Sequence, residues 1–482
     1  MSVLGHLEPN KVFYYFEEIC KIPHGSGNTK EISDYLANFA KERNLKYTQD
    51  ELGNVIISKE ATAGKESSEG IVIQGHMDMV AVHKPELDID MTKEPLKLMV
   101  AGDDIYAEGT SLGGDDGIAI AYALAILDSD DLIHPHLDVI ITVDEEIGLL
   151  GAEAIDVSDV KGTRLLNLDS EEEGCFWVGC AGGARVDHRI SLERETKDGT
   201  VYTCRIDGLQ GGHSGVEIHK ERGNAISLIG RLLFALKEEE IGVISIEGGL
   251  ADNAIPRVAT LTFVADAENE AVLAEKICAF EAVLQYELAT KDPGVKVVFE
   301  KANDGKGEVA VLTKASEECV RNFLLAMPNG VQAMSADMEG LVQTSLNSGI
   351  ICTKEKELIL SQSVRSSIQS ERDALIEKTV ALTALAGGTS TVSGKYPGWA
   401  YNPKSTLRDL CVKVYKDMTG KEPMVQAIHA GLECGLFIEK RPDFDAVSMG
   451  PNMKNIHTTE ETLSISSVIS VWNFLCKLLE EA

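Results

Sequence analysis

Apolar and polar positions follow two textures along this chain. Between residues 10 and 45 apolar side chains recur at helical spacing with few breakers, which predicts helix. From about 52 to 170, short apolar runs take turns with helical stretches. GIVIQ (70–74), DVIIT (138–142) and RLLNL (164–168) are apolar runs of strand length without alternation. Such runs suit a parallel sheet covered on both faces. SLGGDDGIAIAYALAILDS (111–129) reads as a buried helix opened by glycines and carboxylates. Strands and helices in alternation predict an α/β domain.

The texture changes near residue 184. RVDHRISLE, TVYTCRIDGL, VATLTFVADA and VKVVFEK alternate with period two, as half-exposed antiparallel strands do. Helical patterns at 224–240 and 270–289 intervene, so the middle reads as α+β. The stretch 386–403, AGGTSTVSGKYPGWAYNP, is rich in turn formers. After it the α/β texture returns, with a helix at 408–420, a short strand at 445–450 and a closing helix at 464–481. The pattern predicts a mixed, mainly parallel sheet with helices on both faces. That domain is built from 1–184 and 389–482 and interrupted by an inserted α+β domain at 185–388.

Composition narrows the function. The chain has 482 residues, 45 Lys+Arg and 77 Asp+Glu, a formal charge of −32. A nucleic-acid binder needs a basic face, and an anionic membrane would repel this chain. With 44% apolar residues the chain can bury a core. The N-terminal stretch lacks the basic start and apolar centre of a signal peptide, and no run reaches the ~18 apolar residues of a membrane span. Ten scattered cysteines without a Cys-x-x-Cys pair read as reduced thiols in a cytoplasm.

Three of the predicted strands end in residues that can hold metal. GIVIQ runs into His76-Met77-Asp78, DVIITV into Asp144-Glu145-Glu146, and RLLNL into Asp169. Ligands gather beyond the carboxyl ends of strands in open α/β sheets. Asp115, at the start of the glycine-opened helix, and His457 complete a set. A two-ion centre needs a bridging carboxylate, terminal His or carboxylate ligands, and a free carboxylate to take a proton from water.

These residues match, in order and approximate spacing, the di-zinc co-catalytic metallopeptidases that include peptidase T, peptidase V, carboxypeptidase G and the aminoacylases. Within them, IQGHMDMV, GTSLGGDDG, NLDSEEEG, GGHSGVEIHKERGNA and SMGPNMKNIHTTEE resemble the bacterial aminoacyl-histidine dipeptidases over essentially the whole chain. The resemblance implies a catalytic domain (1–184 and 389–482) with a lid (185–388). It implies two divalent ions, zinc first, with manganese or cobalt as alternatives. Asp115 would bridge them, His76 and Asp169 would complete one ion, and Glu146 and His457 the other. Glu145 would be the general base of a metal-bridging hydroxide, and Asp78 would orient His76. In the insert, His213 would stabilise the oxyanion, and Asn253, Arg365 and Gly431 would hold a small peptide. Dipeptides, including Xaa-His, are the implied substrates. The lid of relatives often dimerises, so His213 acts either within its chain or across a homodimer.

Alternatives stand beside these assignments. Asp116 competes with Asp115 for the bridge, because Asp115-Asp116-Gly117 lacks the Asp-x-Lys-Gly of many relatives. His219 competes with His213. Gly431-Leu432-Glu433 stands where relatives have a Gly-Gly-Thr-Asp-like loop. An acidic triplet such as Glu171-Glu172-Glu173 is by default a solvated turn. His134 and His136 read as surface residues flanking a proline, and His83, His188 and His429 as structural. Gly212-His213-Ser214-Gly215-Val216 lacks the last glycine of a serine-hydrolase elbow. Other readings are a deacylase or another peptidase on the same scaffold, or a catalytically silent metal and peptide binder. The intact Glu145 speaks against the silent one.

Overall fold

The computed structural model describes residues 2–302 and 307–482. The chain divides into two compact units. The first comprises Met1–Gly179, Tyr401–Ala427 and Leu432–Ala482; the second comprises Cys180–Ala400 and Ile428–Gly431.

The first unit is built on an eight-stranded mixed sheet. Its centre holds β1 (Ile71–His76), β2 (Leu137–Thr142), β3 (Arg164–Asn167) and β4 (Asp445–Ser448), in the spatial order β2-β1-β3-β4 and mutually parallel. Antiparallel strands flank this core, Val55–Lys59 beside β2 and Cys175–Cys180 beside β4. Every residue of β1 and β2 is buried, so apolar residues fall on both faces, with Gln74, His76, Asp138 and Thr142 as the polar exceptions. Helix α1 (Gly114–Leu127) is buried along all its length and packs against β1 and helix Asn10–Ile19. An all-apolar helix has no face for water and belongs inside. Asp115 and Asp116 at its start depart from helical backbone, so regular helix begins after them.

The second unit carries a ten-stranded antiparallel sheet. Helices Ala225–Ala235, Glu270–Glu287 and Lys314–Ala326 bury apolar faces in its main core. Strands 182–191, 194–207, 259–265 and 296–301 fall on the period-two segments. Two local expectations need correcting. The turn-rich stretch contains a strand, Thr389–Tyr396, which pairs antiparallel with 182–191 at the sheet edge. Its polar residues are mostly exposed there, so edge pairing tolerates a sequence that reads as turn. The helix at 224–240 ends at Ala235, because Leu236–Glu240 turns into the strand Gly242–Gly248. No helix among the described residues is long and apolar enough to cross a membrane.

Candidate active site

The carboxyl ends of β1, β2 and β3 lie side by side, and each delivers side chains to one cluster in the first unit. His76 is the last residue of β1 and is buried. Its Nδ1 lies 3.0 Å from the Asp78 carbonyl oxygen, which can only accept. Nδ1 therefore carries the proton and Nε2 presents its lone pair. Nε2 lies 3.2 Å from Asp115 Oδ1 and 3.7 Å from Asp169 Oδ1.

The other oxygen of Asp115 faces the second histidine. Asp115 Oδ2 lies 3.1 Å from His457 Nε2, and Glu146 Oε1 lies 2.8 Å from the same nitrogen. His457 sits in a left-handed turn, with φ 61°. Three ligand sets have their donor atoms within 4.8 Å of one another: His76, Asp116 and Asp169; His76, Glu145 and Glu146; and Asp115, Glu146 and His457.

Asp78 organises two neighbours at once. Besides its carbonyl contact with His76, its carboxylate accepts from Glu145 N (3.0 Å), Glu146 N (3.3 Å) and Ser26 Oγ (2.8 Å). Asp116 is fully buried, and its Oδ2 accepts from His76 N at 3.1 Å.

The electrostatics show an excess of acid. Burial pushes the Glu145 carboxyl up to about 9, with Asp169, Glu433 and Glu146 adding and His76 opposing. Burial likewise raises Asp116 and Asp169, and neighbouring carboxylates add to it. Asp115 and Glu146 raise His457 to about 10. Burial would lower His76, but Asp115, Asp169 and Asp78 together raise it well above its usual range. Crowded carboxylates around histidine lone pairs are a donor set that suits divalent cations. Both the chemistry and the grouping of these residues fit metal.

A polar layer lies beneath the cluster, and the sequence reading missed it. Glu433 is fully buried; its Oε2 accepts from Gln74 Nε2 and, at 2.8 Å, from Thr142 Oγ1. Gln74 Oε1 in turn accepts from Asn167 Nδ2 at 2.6 Å. These side chains stitch β1, β2 and β3 together two to four residues before the candidate ligands. A signal was present in the sequence, since each apolar run carries one polar residue near its end.

The insert's candidates lie in the second unit. His213 Nδ1 accepts from Gly215 N and Val216 N, both at 3.2 Å, so the proton of the neutral ring is on Nε2. Burial and the Arg365 charge lower its pKa. Asn253 O accepts from Ser214 N at 2.8 Å, which ties its segment to the His213 turn. The Asp292 carboxylate accepts from Gln210 N (2.7 Å) and Gly223 N (2.6 Å), closing the loop that carries His213. Arg365 is buried on strand Glu357–Ser366, and its Nη1 donates to Tyr396 Oη at 3.0 Å. Gly431 abuts the Tyr396 ring, where a Cβ would come within 2.9 Å. His219 is exposed and is not brought into this group. His134, expected at the surface, is fully buried, with Nδ1 donating to the Pro135 carbonyl. His429 is buried against Ser345, with Nε2 and Oγ 2.7 Å apart.

Comparisons with known proteins give the family and the fold. The model of peptidase family M20/M25/M40 matches residues 72–481. The chain is 37% identical over 485 residues to the cytosol non-specific dipeptidase of Escherichia coli strain K12, covering 100% of this chain and 99% of that protein. The crystal structure of aminoacylhistidine dipeptidase from Vibrio alginolyticus superposes with a TM-score of 0.95 at 36% identity, covering 99% of this chain and 98% of that one. Aminopeptidase PepT from Bacillus cereus shares the fold, with a TM-score of 0.57 at 16% identity over 99% of each chain. This chain belongs to peptidase family M20/M25/M40 and is a peptide hydrolase.

Proposed function

We propose that this chain is a cytoplasmic dipeptidase that works with two divalent ions and cleaves small dipeptides, including those ending in histidine. The observation that carries the reading is the Asp115 carboxylate, whose two oxygens face two different histidines. In this reading Asp115, His76 and Asp169 would hold one ion, and Asp115, Glu146 and His457 the other. Asp116 is committed instead to the His76 amide. Zinc, manganese and cobalt all suit such a His/carboxylate set. When bound, such ions polarise the scissile carbonyl and acidify water.

The chain's own residues do the rest. Glu145 takes the proton of the attacking water and passes it to the leaving amine. Asp78 fixes the Glu145 backbone and the His76 ring together, so base and ligand keep their spacing. The Nε2 proton of His213 donates to the carbonyl oxygen as negative charge develops there. Arg365 offers its fork to the terminal carboxylate of the substrate. Asn253 and Gly431 line the peptide in the same reading. The likeness to the Escherichia coli non-specific dipeptidase and the Vibrio aminoacylhistidine dipeptidase supports the substrate class. The Escherichia coli name supports the compartment.

A panel of free dipeptides, tripeptides and N-acylated amino acids tests the reading, with and without chelator. Dipeptides should be cleaved, chelation should stop cleavage, and zinc, manganese or cobalt should restore it. Tripeptide or N-acyl turnover without dipeptide turnover would overturn the substrate class. Activity that survives thorough chelation would overturn the ion requirement.

A further inference from the structure

Glu461 lies four residues after His457 and is 3% exposed. Its Oε2 accepts from Leu112 N (2.8 Å) and Gly113 N (3.1 Å). Its Oε1 accepts from Gly114 N (2.8 Å) and Asp115 N (3.4 Å). One carboxylate thus gathers the successive amides that lead into α1. Those amides precede the regular turns of α1, and the positive end of that helix's dipole points toward them. The turn is tight. Gly113 has φ +67°, and a Cβ at Gly114 would lie 3.3 Å from Glu461 Oε1.

The other end of the link is the His457 turn. Asn455 and His457 both have positive φ, 52° and 61°. Side chains brace the turn, with Thr458 Oγ1 donating to Asn455 O (2.7 Å) and Glu460 N donating to Thr458 Oγ1 (3.2 Å). Glu461 N closes it on Thr458 O at 3.3 Å. Strand Thr462–Ser464 then pairs with Asp104–Ala107.

We propose that Glu461 is a positioning residue for the candidate metal centre: its buried carboxylate clamps the Leu112–Asp115 turn to the His457 turn and so sets the spacing of Asp115 and His457. The inference rests on the two-ion reading above. Without the clamp, Asp115 stays on α1 and His457 stays on its strand-anchored turn, but the four hydrogen bonds that tie the two turns together are lost and the Asp115–His457 contact must do without them. Carboxylate geometry is required. An amide in its place keeps the volume, but its NH2 turns hydrogens toward backbone N–H donors.

The test is titration of the purified chain with Co2+ alone, following the visible absorption of the bound ion, beside melting curves. Wild type, Glu461→Gln, Glu461→Asp and Asp138→Asn are compared. Glu461→Asp keeps the charge but withdraws it by one methylene. Asp138 is an equally buried carboxylate at the opposite end of β2, accepting from Ser58 Oγ (2.6 Å), Lys161 N (2.8 Å) and Gly162 N (2.9 Å). Both Glu461 variants should bind Co2+ about 10–100-fold more weakly, with an altered spectrum, as losing a ligand-orienting partner does. Asp138→Asn should melt earlier but bind Co2+ like wild type. A folded Glu461 variant with wild-type affinity and spectrum overturns the proposal. So does failure of both Glu461 variants to fold, which would assign Glu461 to stability alone. If wild type itself binds no Co2+, the two-ion reading falls instead.

Discussion

Replacing Gly75 with alanine should damage stability and ion binding together. Gly75 precedes His76 on β1, where the strand touches the start of α1. A Cβ there would lie 2.5 Å from Asp116 Oδ2 and 2.7 Å from Ala119 Cβ. Both distances are far inside contact, and neither neighbour can move freely. Asp116 is fully buried and holds the His76 amide, and α1 is buried on all sides. An extra methyl in a packed site costs about 1–3 kcal/mol. Leaving the buried His76 amide without its partner costs about 1–3 kcal/mol. The two overlap, so about 2–4 kcal/mol is expected, a fall in melting temperature on the order of 10 °C for a unit of this size. Gly117→Ala is the control. Its Cβ would meet Phe16 Cε2 at 3.4 Å and Ile19 Cγ2 at 3.7 Å, ordinary contacts. That variant should be neutral or up to about 1 kcal/mol more stable. Calorimetry and Co2+ titration on both variants decide it. A Gly75→Ala protein with wild-type melting and affinity would refute the claim that close strand–helix contact sets the ligand positions.

Glu433→Gln tests the buried layer. Burial pushes the Glu433 carboxyl up to about 8. Its folded value exceeds its unfolded value, so stability is full below about pH 4.5 and is lost as pH rises towards 8. In chelator, wild type should lose on the order of 5 kcal/mol over that window through this group, and Glu433→Gln should not; parallel pH curves would contradict this. Arg365→Ala should raise KM for free dipeptides about 10–100-fold, the worth of a charge-assisted contact, while leaving amidated dipeptides unchanged. Equal losses on both substrates would rule out carboxylate recognition. Asp292→Asn should speed hydrogen exchange across 210–223, because that carboxylate holds both ends of the loop.

Much of the fold was legible because burial leaves a periodic trace. β1 and β2 are buried on both faces and so carry apolar runs without alternation, and strand 182–191 of the second unit alternates since one face is wet. Edge strand Thr389–Tyr396 left no such trace, for an edge can be polar and still pair. His76, Glu146 and Asp169 stand out in the sequence because each follows an apolar run of strand length, whereas Asp115 and His457 do not follow one. What sequence could not convey was which oxygen faces which nitrogen. Asp115 and Asp116 are equivalent on paper, yet one lies between two histidines and the other under the His76 amide. Glu433 and Glu461 were hidden for a related reason. Among 77 acids, only the amides and side chains that fold against a carboxylate distinguish it from a solvated one.

The most direct measurement is the number of ions bound and the dipeptide turnover of Glu145→Gln beside wild type. Ions per chain are counted by elemental analysis after dialysis, and turnover is followed on the same samples. In the proposed function proton transfer falls to Glu145 and ion holding to His76, Asp115, Glu146, Asp169 and His457. Both proteins should therefore carry two ions per chain, while turnover in the variant falls roughly 10^2–10^4-fold. Near wild-type turnover in Glu145→Gln, or loss of the ions along with activity, would contradict that division of labour.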